Sequence, residues 1–467
     1  MSRTELTGKG IDWTLLSIYL SLIVIGWVMI YSVDKQKFIA DGIINFNSNA
    51  GKHLVFIAIS LILFLFVNFL DWKFWKIFAY TIYVISLFLL LAVLIFGVTI
   101  KGQKSWFSIG SSTFQPSEIA KFGTCLALSS YLSLFTSRLK EAKNQLIAFG
   151  ILGAPVFLIM LQPDFGSALV FISFLILMFR NGQSPWVGIF ILTLGSIFIL
   201  SLLFPLDYLI MGLLIAAVAI LTLSFPKIIW GIVGLVALVP LSIWSLILNF
   251  QNIAYSVLSL IIFVLIGVHI KKRRGQMAVL VGFSLSIALL IGSVSRFTFD
   301  NILKPHQQER LNVWLHPERC DPRGSLYNIL QSKMAIGSGG WEGKGFTNGL
   351  MTRLNYIPEQ NTDFIFCTIG EEHGFIGSAV LIGLFVWFLV QLINIAERQR
   401  SNFSRNYIYG VAGIIFFHFI VNIGMTIGLV PIIGIPLPFI SSGGTSLLSF
   451  SLMIAVVVKL DSMRYTP

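Results

Sequence analysis

Acidic and basic side chains are scarce in this chain, so those that interrupt its apolar stretches stand out. Asp363 ends the run Pro358-Glu359-Gln360-Asn361-Thr362-Asp363 and precedes an apolar segment that contains Glu371 and Glu372. A carboxylate at such a boundary is partly desolvated. Its pKa can rise toward that of a general base, or its oxygens can ligate a divalent cation. A simple helix cap is the alternative. Glu371 and Glu372 follow about two helical turns on, and one of them must face protein or a wet cavity. In Pro116-Ser117-Glu118-Ile119-Ala120-Lys121, Glu118 and Lys121 stand at i,i+3 and can pair, on a helix whose first turn accommodates Pro116. Asp164, in Gln162-Pro163-Asp164-Phe165-Gly166-Ser167, sits where a helix should start, and capping alone would explain it. The Pro/Gly-rich run from Gly434 to Thr445 cannot face lipid, because its unsatisfied amides would cost several kcal/mol each. The glycines between Ile336 and Gly345 could let backbone amides approach phosphate oxygens, although P-loop spacing is absent.

These residues need a scaffold, and composition says which kind. Of 467 residues, 56% are hydrophobic and only 11% charged, against about 25% charged in soluble domains. Disordered chains, disulfide scaffolds and ordinary cytosolic enzymes are excluded. An all-α polytopic membrane protein remains, read as a single integral membrane domain over 1–467. The net charge of +12 then reads as cytoplasmic Lys and Arg rather than a nucleic-acid footprint. Cys125, Cys320 and Cys367 have no metal-ligand spacing. The polar N-terminus before Trp13 reads as preceding a first spanning helix rather than as part of a cleaved signal.

Apolar runs predict about 14 spans: 13–32, 54–70, 77–98, 117–135, 145–161, 164–180, 186–204, 208–225, 228–249, 252–270, 276–295, 364–392, 406–430 and 444–460. With the N-terminus inside, most Lys and Arg outside the long loop fall on the cytoplasmic side, including Lys271–Arg274, Arg398, Arg400 and Arg405. Both termini are therefore expected in the cytoplasm. One long extracellular loop, 296–362, is the sizeable aqueous region. It is basic against the inside bias, which suits an anionic ligand at the outer face. Arg310, Gln331, Lys333, Lys344 and Arg353 are its candidate contacts, with Lys101 and Lys104 next.

The segments FQPSEIAK, LQPDFGSA, QSKMAIGSGGWEGKGF, YIPEQNTDFIF with TIGEEHGFIGS, and GIPLPFISSGG, in that order, resemble the SEDS family. These are the RodA/FtsW peptidoglycan glycosyltransferases, and the GKG run and the stretch before IPEQ look more like RodA. The resemblance covers roughly 1–180 and 296–460. It implies a ten-helix core, here with about four extra helices within 185–295, read as peripheral and without chemistry. It implies polymerisation of lipid II during cell elongation at the outer face of the bacterial inner membrane, with the family's essential acid at Asp363. A Mg²⁺ or Mn²⁺ ion at Asp363 is expected. So are a class B penicillin-binding protein and other elongation-complex proteins as partners. Many members have His where this chain has Asn361. A lipid II flippase is the main alternative, because Glu118, Lys121 and Asp164 would suit a polar path. An ion-coupled transporter and a recruiting scaffold are weaker.

Overall fold

The computed structural model describes residues 10–40, 43–46, 48–100, 102–110, 112–134, 141–223, 240–242, 244, 250–271, 275–301, 303, 305–321, 326–354 and 356–464. Lys101, much of the expected span 228–249, and the cations Lys227, Lys272, Arg273, Arg274, Lys304 and Arg323 lie outside the described residues. The chain divides into two compact units, Met1–Ser184 with Cys320–Pro467, and Pro185–Arg319.

The first unit begins with α1 (Trp13–Phe38), α2 (Asn49–Phe69), α3 (Trp72–Ile77) and α4 (Ala79–Phe96). An antiparallel meander follows, β3 (Val98–Ile100), β4 (Gln103–Ile109) and β5 (Ser112–Phe114), after a short pair β1 (Ile39–Ala40) and β2 (Ile43–Ile44) earlier in the chain. Trp106 faces Val98 and Phe107 faces Phe114 in its register. Next come α5 (Pro116–Leu134), α6 (Ala142–Leu161), α7 (Phe165–Val170) and α8 (Phe174–Arg180). The second unit holds α9 (Pro185–Leu203), α10 (Leu206–Leu223), α11 (Gln251–Lys271), α12 (Gly275–Asn301) and α13 (Pro305–Leu315). The first unit resumes with α14 (Tyr327–Ser338), α15 (Leu350–Arg353), α16 (Ile365–Glu397), α17 (Asn402–Thr426) and α18 (Gly444–Ser462).

Ten helices among the described residues are long and apolar enough to cross a membrane, not about 14. Four expected spans drop out. Residues 164–180 and 186–204 form shorter apolar helices, and 228–249 falls mostly outside the described residues. The fourth, 117–135, forms α5, which is not among the ten. Ser117, Glu118, Lys121, Ser129 and Ser130 dilute its apolarity, and it tolerates them because protein surrounds it: all five are buried. Within 296–362, α12 continues to Asn301 and α13, α14 and α15 follow, so much of the expected loop is helical.

α17 and α18 form the centre of the first unit, each 78% buried over its most apolar window. α2 shows the opposite face of the same physics. His53, Ser60, Phe64 and Val67 point inward while Ile62, Leu65 and Phe66 are exposed, as a lipid-facing stripe should be. At one end of the bundle, Arg398 bonds both Asp12 and Asp461, and Gln391 donates to Asp12 at 2.9 Å. Burial pushes the Asp12 carboxyl up, but the Leu15 amide and the Arg398 guanidinium outweigh it and hold it below the usual carboxylate value. The second unit packs Met211, Leu214, Val218 and Leu221 against Leu258, Ile262 and Val281. Tyr255 donates to the main-chain oxygen of Asp207 at 3.0 Å there.

Candidate functional site

α16 is not one helix. Gly374 breaks it with φ +61° and ψ −156°, a conformation glycine adopts at no steric cost. Breaking a helix orphans the carbonyls that precede the break in the chain and the amides that follow it, which lipid cannot satisfy. The glycine-rich run supplies the missing partners. Lys344 and Gly345 donate their amides to the carbonyls of Glu371 and Glu372 at 3.0 and 2.9 Å. In return, the amides of Phe375 and Ile376 donate to the carbonyls of Gly340 and Trp341 at 2.9 and 3.1 Å. Such close approach excludes side chains. A Cβ on Gly343 would stand 2.2 Å from the Glu372 carbonyl oxygen.

Glu371, fully buried, completes the splice. Its carboxylate accepts from Lys344 Nζ and the Met351 amide, each at 2.9 Å. It also accepts from the Thr352 amide and hydroxyl, at 2.9 and 2.8 Å. Gln360 Nε2 then donates to Thr352 Oγ1 at 3.0 Å and to Thr368 Oγ1 at 2.9 Å. Glu372 accepts from Ser32 on α1. The segment leading to Asp363 is thus pinned from both sides.

Asp363 itself lies half-buried just before α16. Its main-chain oxygen accepts from Asn422 Nδ2 at 2.9 Å, and the same amide group donates to the Ile435 carbonyl at 2.8 Å. Its carboxylate lies against Gly434: a Cβ there would be 3.4 Å from Asp363 Oδ2. At the other end of that connecting loop, a Cβ on Gly428 would stand 2.6 Å from Lys333 Nζ. Asp363 and Lys333 therefore border one loop, 427–436. Gln331, on the same helix as Lys333, has its Oε1 buried with no hydrogen-bond partner among the described residues.

The other candidates are placed differently. Lys344 is paired with Glu371. Lys104 donates to the Ile95 carbonyl at 3.0 Å, near the C-terminus of α4. Arg353 is exposed at the end of α15, and Arg310 belongs to α13 of the second unit. Asp164 caps α7 by accepting the Ser167 amide at 3.1 Å, and it also accepts from Gln115 Nε2 at 2.9 Å.

Glu118 and Lys121 pair at 2.8 Å, both almost fully buried. The pair extends to a residue the sequence reading passed over. Lys121 Nζ lies 2.9 Å from His418 Nε2, and His418 Nδ1 lies 3.0 Å from the Pro436 carbonyl. A carbonyl only accepts, so the proton sits on Nδ1 and Nε2 accepts from lysine. The ring meets Phe450 edge-on at 5.0 Å. His418, Asn422 and Thr426 stand at i, i+4 and i+8 on α17. One polar stripe on an otherwise apolar spanning helix was the signal that could have found them.

Among the described residues, no group of three or more His, Cys, Asp or Glu is placed to hold a metal ion. A single carboxylate fits Mg²⁺ only in the manner of ions that keep several waters and bind substrate phosphates.

Comparison with known proteins agrees with this layout. The model of the cell cycle protein family of FtsW, RodA and SpoVE matches residues 13–217 and 209–466. Peptidoglycan glycosyltransferase RodA of Treponema pallidum (strain Nichols) is 30% identical over 474 residues, covering 97% of this chain and 98% of that protein. Peptidoglycan glycosyltransferase MrdB of Escherichia coli (strain K12) is 27% identical over 455 residues, covering 97% and 94%. A chain from a solved structure described as "Structural coordination of polymerization and crosslinking by a peptidoglycan synthase complex" superposes with TM-score 0.63 at 24% identity, covering 98% of this chain and 99% of that one. The crystal structure of Thermus thermophilus rod shape determining protein RodA gives 0.57 at 22%, with the same coverage. At those identities the likeness of structures speaks for the fold. With the family model spanning nearly the whole sequence, this multi-pass membrane chain belongs to the SEDS family, that of RodA and FtsW.

Proposed function

We propose that the chain polymerises lipid II into glycan strands, with Asp363 acting on the acceptor sugar hydroxyl. The observation that carries this reading is the placement of Asp363. Its backbone is fixed by Asn422, its carboxylate lies against Gly434, and the preceding segment is pinned through Gln360 and Glu371. A sugar hydroxyl is a weak nucleophile that needs a positioned base. Holding that base still reduces the cost of reaching the reactive geometry. Lys333, against the same loop, is the cation assigned to the leaving pyrophosphate, whose growing charge a fixed cation stabilises. Asp363 would hold Mg²⁺ or Mn²⁺, which supplies electrostatic stabilisation of phosphate oxygens when bound. The Lys and Arg bias supports an outer-face site and cytoplasmic termini. The names of the relatives support peptidoglycan as the product, and the family resemblance implies a class B penicillin-binding protein as partner.

A flippase needs a polar path open to both sides. Glu118, Lys121 and His418 instead pair with one another in a closed interior, which favours polymerisation. The test is a gel assay for glycan polymer from purified protein, lipid II and Mg²⁺ or Mn²⁺. Wild type and Asp363→Asn are compared, with and without a cognate penicillin-binding protein. Polymer from wild type alone supports the reading. Polymer from a folded Asn variant sinks the role of Asp363. Leaflet exchange of fluorescent lipid II without polymer replaces the reading with the flippase.

A further inference from the structure

The loop that follows α17 is held at four successive residues. A Cβ on Gly166 of α7 would stand 2.7 Å from the Ile433 carbonyl oxygen, so α7 packs directly on the loop backbone. Gly434 lies against the Asp363 carboxylate. The Ile435 carbonyl accepts from Asn422 Nδ2 at 2.8 Å, and the Pro436 carbonyl lies 3.0 Å from His418 Nδ1. His418 and Asn422 stand about one turn apart on α17, and both are almost fully buried. Lys121 decides what His418 can do there. An ammonium donates and cannot accept, so Nε2, 2.9 Å from Lys121 Nζ, is the accepting nitrogen. The ring proton is thereby placed on Nδ1, the tautomer that can grip a carbonyl. Glu118 supplies the opposite charge 2.8 Å from Lys121 Nζ, and the Phe450 ring packs edge-on against the imidazole.

We propose that His418 is a positioning residue for Asp363: through the Pro436 carbonyl it keeps Gly434, two residues earlier, in place against the carboxylate. Asn422 holds the next carbonyl of the loop and the Asp363 main chain together, so the two α17 side chains fix both partners of that contact. The buried Glu118–Lys121 pair then serves the reaction from a distance, by fixing a tautomer rather than by touching substrate. The proposal rests on the glycosyl-transfer reading of Asp363 above.

The test separates the two ring nitrogens. An Asn side chain places its amide near the position of Nδ1 and leaves Lys121 without an acceptor. A Gln side chain reaches the position of Nε2 and leaves the Pro436 carbonyl without a donor. His418→Asn, His418→Gln and His418→Leu are compared with wild type as full chains in nanodiscs. The readouts are lipid II polymerisation kinetics, melting temperature and hydrogen exchange of peptides within 427–440. His418→Gln and His418→Leu should lose about tenfold or more in kcat, with KM within about twofold of wild type. His418→Asn should keep kcat within about threefold although it melts below His418→Gln. Activity that simply follows melting temperature across the three variants, or wild-type kcat in folded His418→Gln, overturns the proposal. Exchange over 427–440 reads the hold on the loop without polymer. If wild type makes no polymer, faster exchange there in His418→Gln than in His418→Asn keeps the hold and discards glycosyl transfer, whereas equal exchange discards both. Polymer that is lost in Asp363→Asn but retained in His418→Gln keeps glycosyl transfer and discards the positioning role.

Discussion

Glu371→Ala is the most informative single change outside Asp363. The carboxylate accepts four hydrogen bonds, from Lys344 Nζ, the Met351 amide, and the amide and hydroxyl of Thr352. The Lys344 side chain is 31% exposed and would rehydrate, so its loss weighs little. Thr352 is 1% exposed and would not. Each buried donor left unmade costs about 1–3 kcal/mol. With some water entering the gap, local opening of the 340–354 segment should become easier by about 2–4 kcal/mol. At about 1.4 kcal/mol per tenfold, that is roughly 30- to 900-fold faster amide exchange. Hydrogen exchange in nanodiscs reads this directly, with peptides from α18 as internal control. Polymerisation should fall although Asp363 is intact, because Gln360 loses a fixed partner in Thr352. Glu371→Gln should fall between, since it keeps one acceptor oxygen and loses the charge. Unchanged protection at 340–354, or an equal loss in α18, would refute the view that Glu371 is a local clamp.

Gly374→Val should lower the yield of folded protein sharply, since its φ is +61° and a Cβ would stand 2.4 Å from the Gly343 nitrogen; monodispersity on size-exclusion chromatography checks it. His418→Leu should destabilise by about 2–4 kcal/mol by stripping Lys121 and the Pro436 carbonyl of a partner, and adding Lys121→Met should deepen that loss in melting experiments, because it leaves the buried Glu118 carboxylate without its cation. The Asp12 carboxyl has its pKa lowered in the folded state, so its contribution is present above the unfolded value of about 3.9 and disappears as pH falls through the folded value. Melting temperature should therefore decline more steeply with acid in wild type than in Asp12→Asn, and parallel curves would show that the Arg398 cluster does not link folding to this proton.

The bundle was legible because membrane helices announce themselves by length and apolarity, and the ten qualifying helices match ten of the expected spans. The overcount arose from the same rule applied where it does not hold. Lipid is the solvent for α4, but protein is the solvent for α5, so an acidic and a basic residue inside it cost little once paired. The meander at 98–114 was invisible because a short strand run lacks the period that a long helix has. Lys344 shows the limit of reading a cation as a ligand for phosphate: charge is visible in sequence, but its partner, Glu371, is 27 residues away. His418 was missed because an isolated histidine on an apolar helix looks inert until its lysine arrives from another helix.

The break in α16 also sets a depth. The 23 residues from Phe375 to Glu397 form a stretch about 34 Å long at 1.5 Å per residue, enough alone to cross a hydrocarbon layer of about 30 Å. The half above the break, from Ile365 to His373, adds about 13 Å that the apolar layer has no need to contain. Both halves are stitched to the same glycine loop, which sets the upper half on the lower one as a pedestal. With the proposed outward orientation it would carry Asp363 beyond the apolar layer, and the shared loop fixes the angle between the two halves. A membrane thinned or thickened by a few ångströms should then tilt the long half together with its loop, and carry the carboxylate with them.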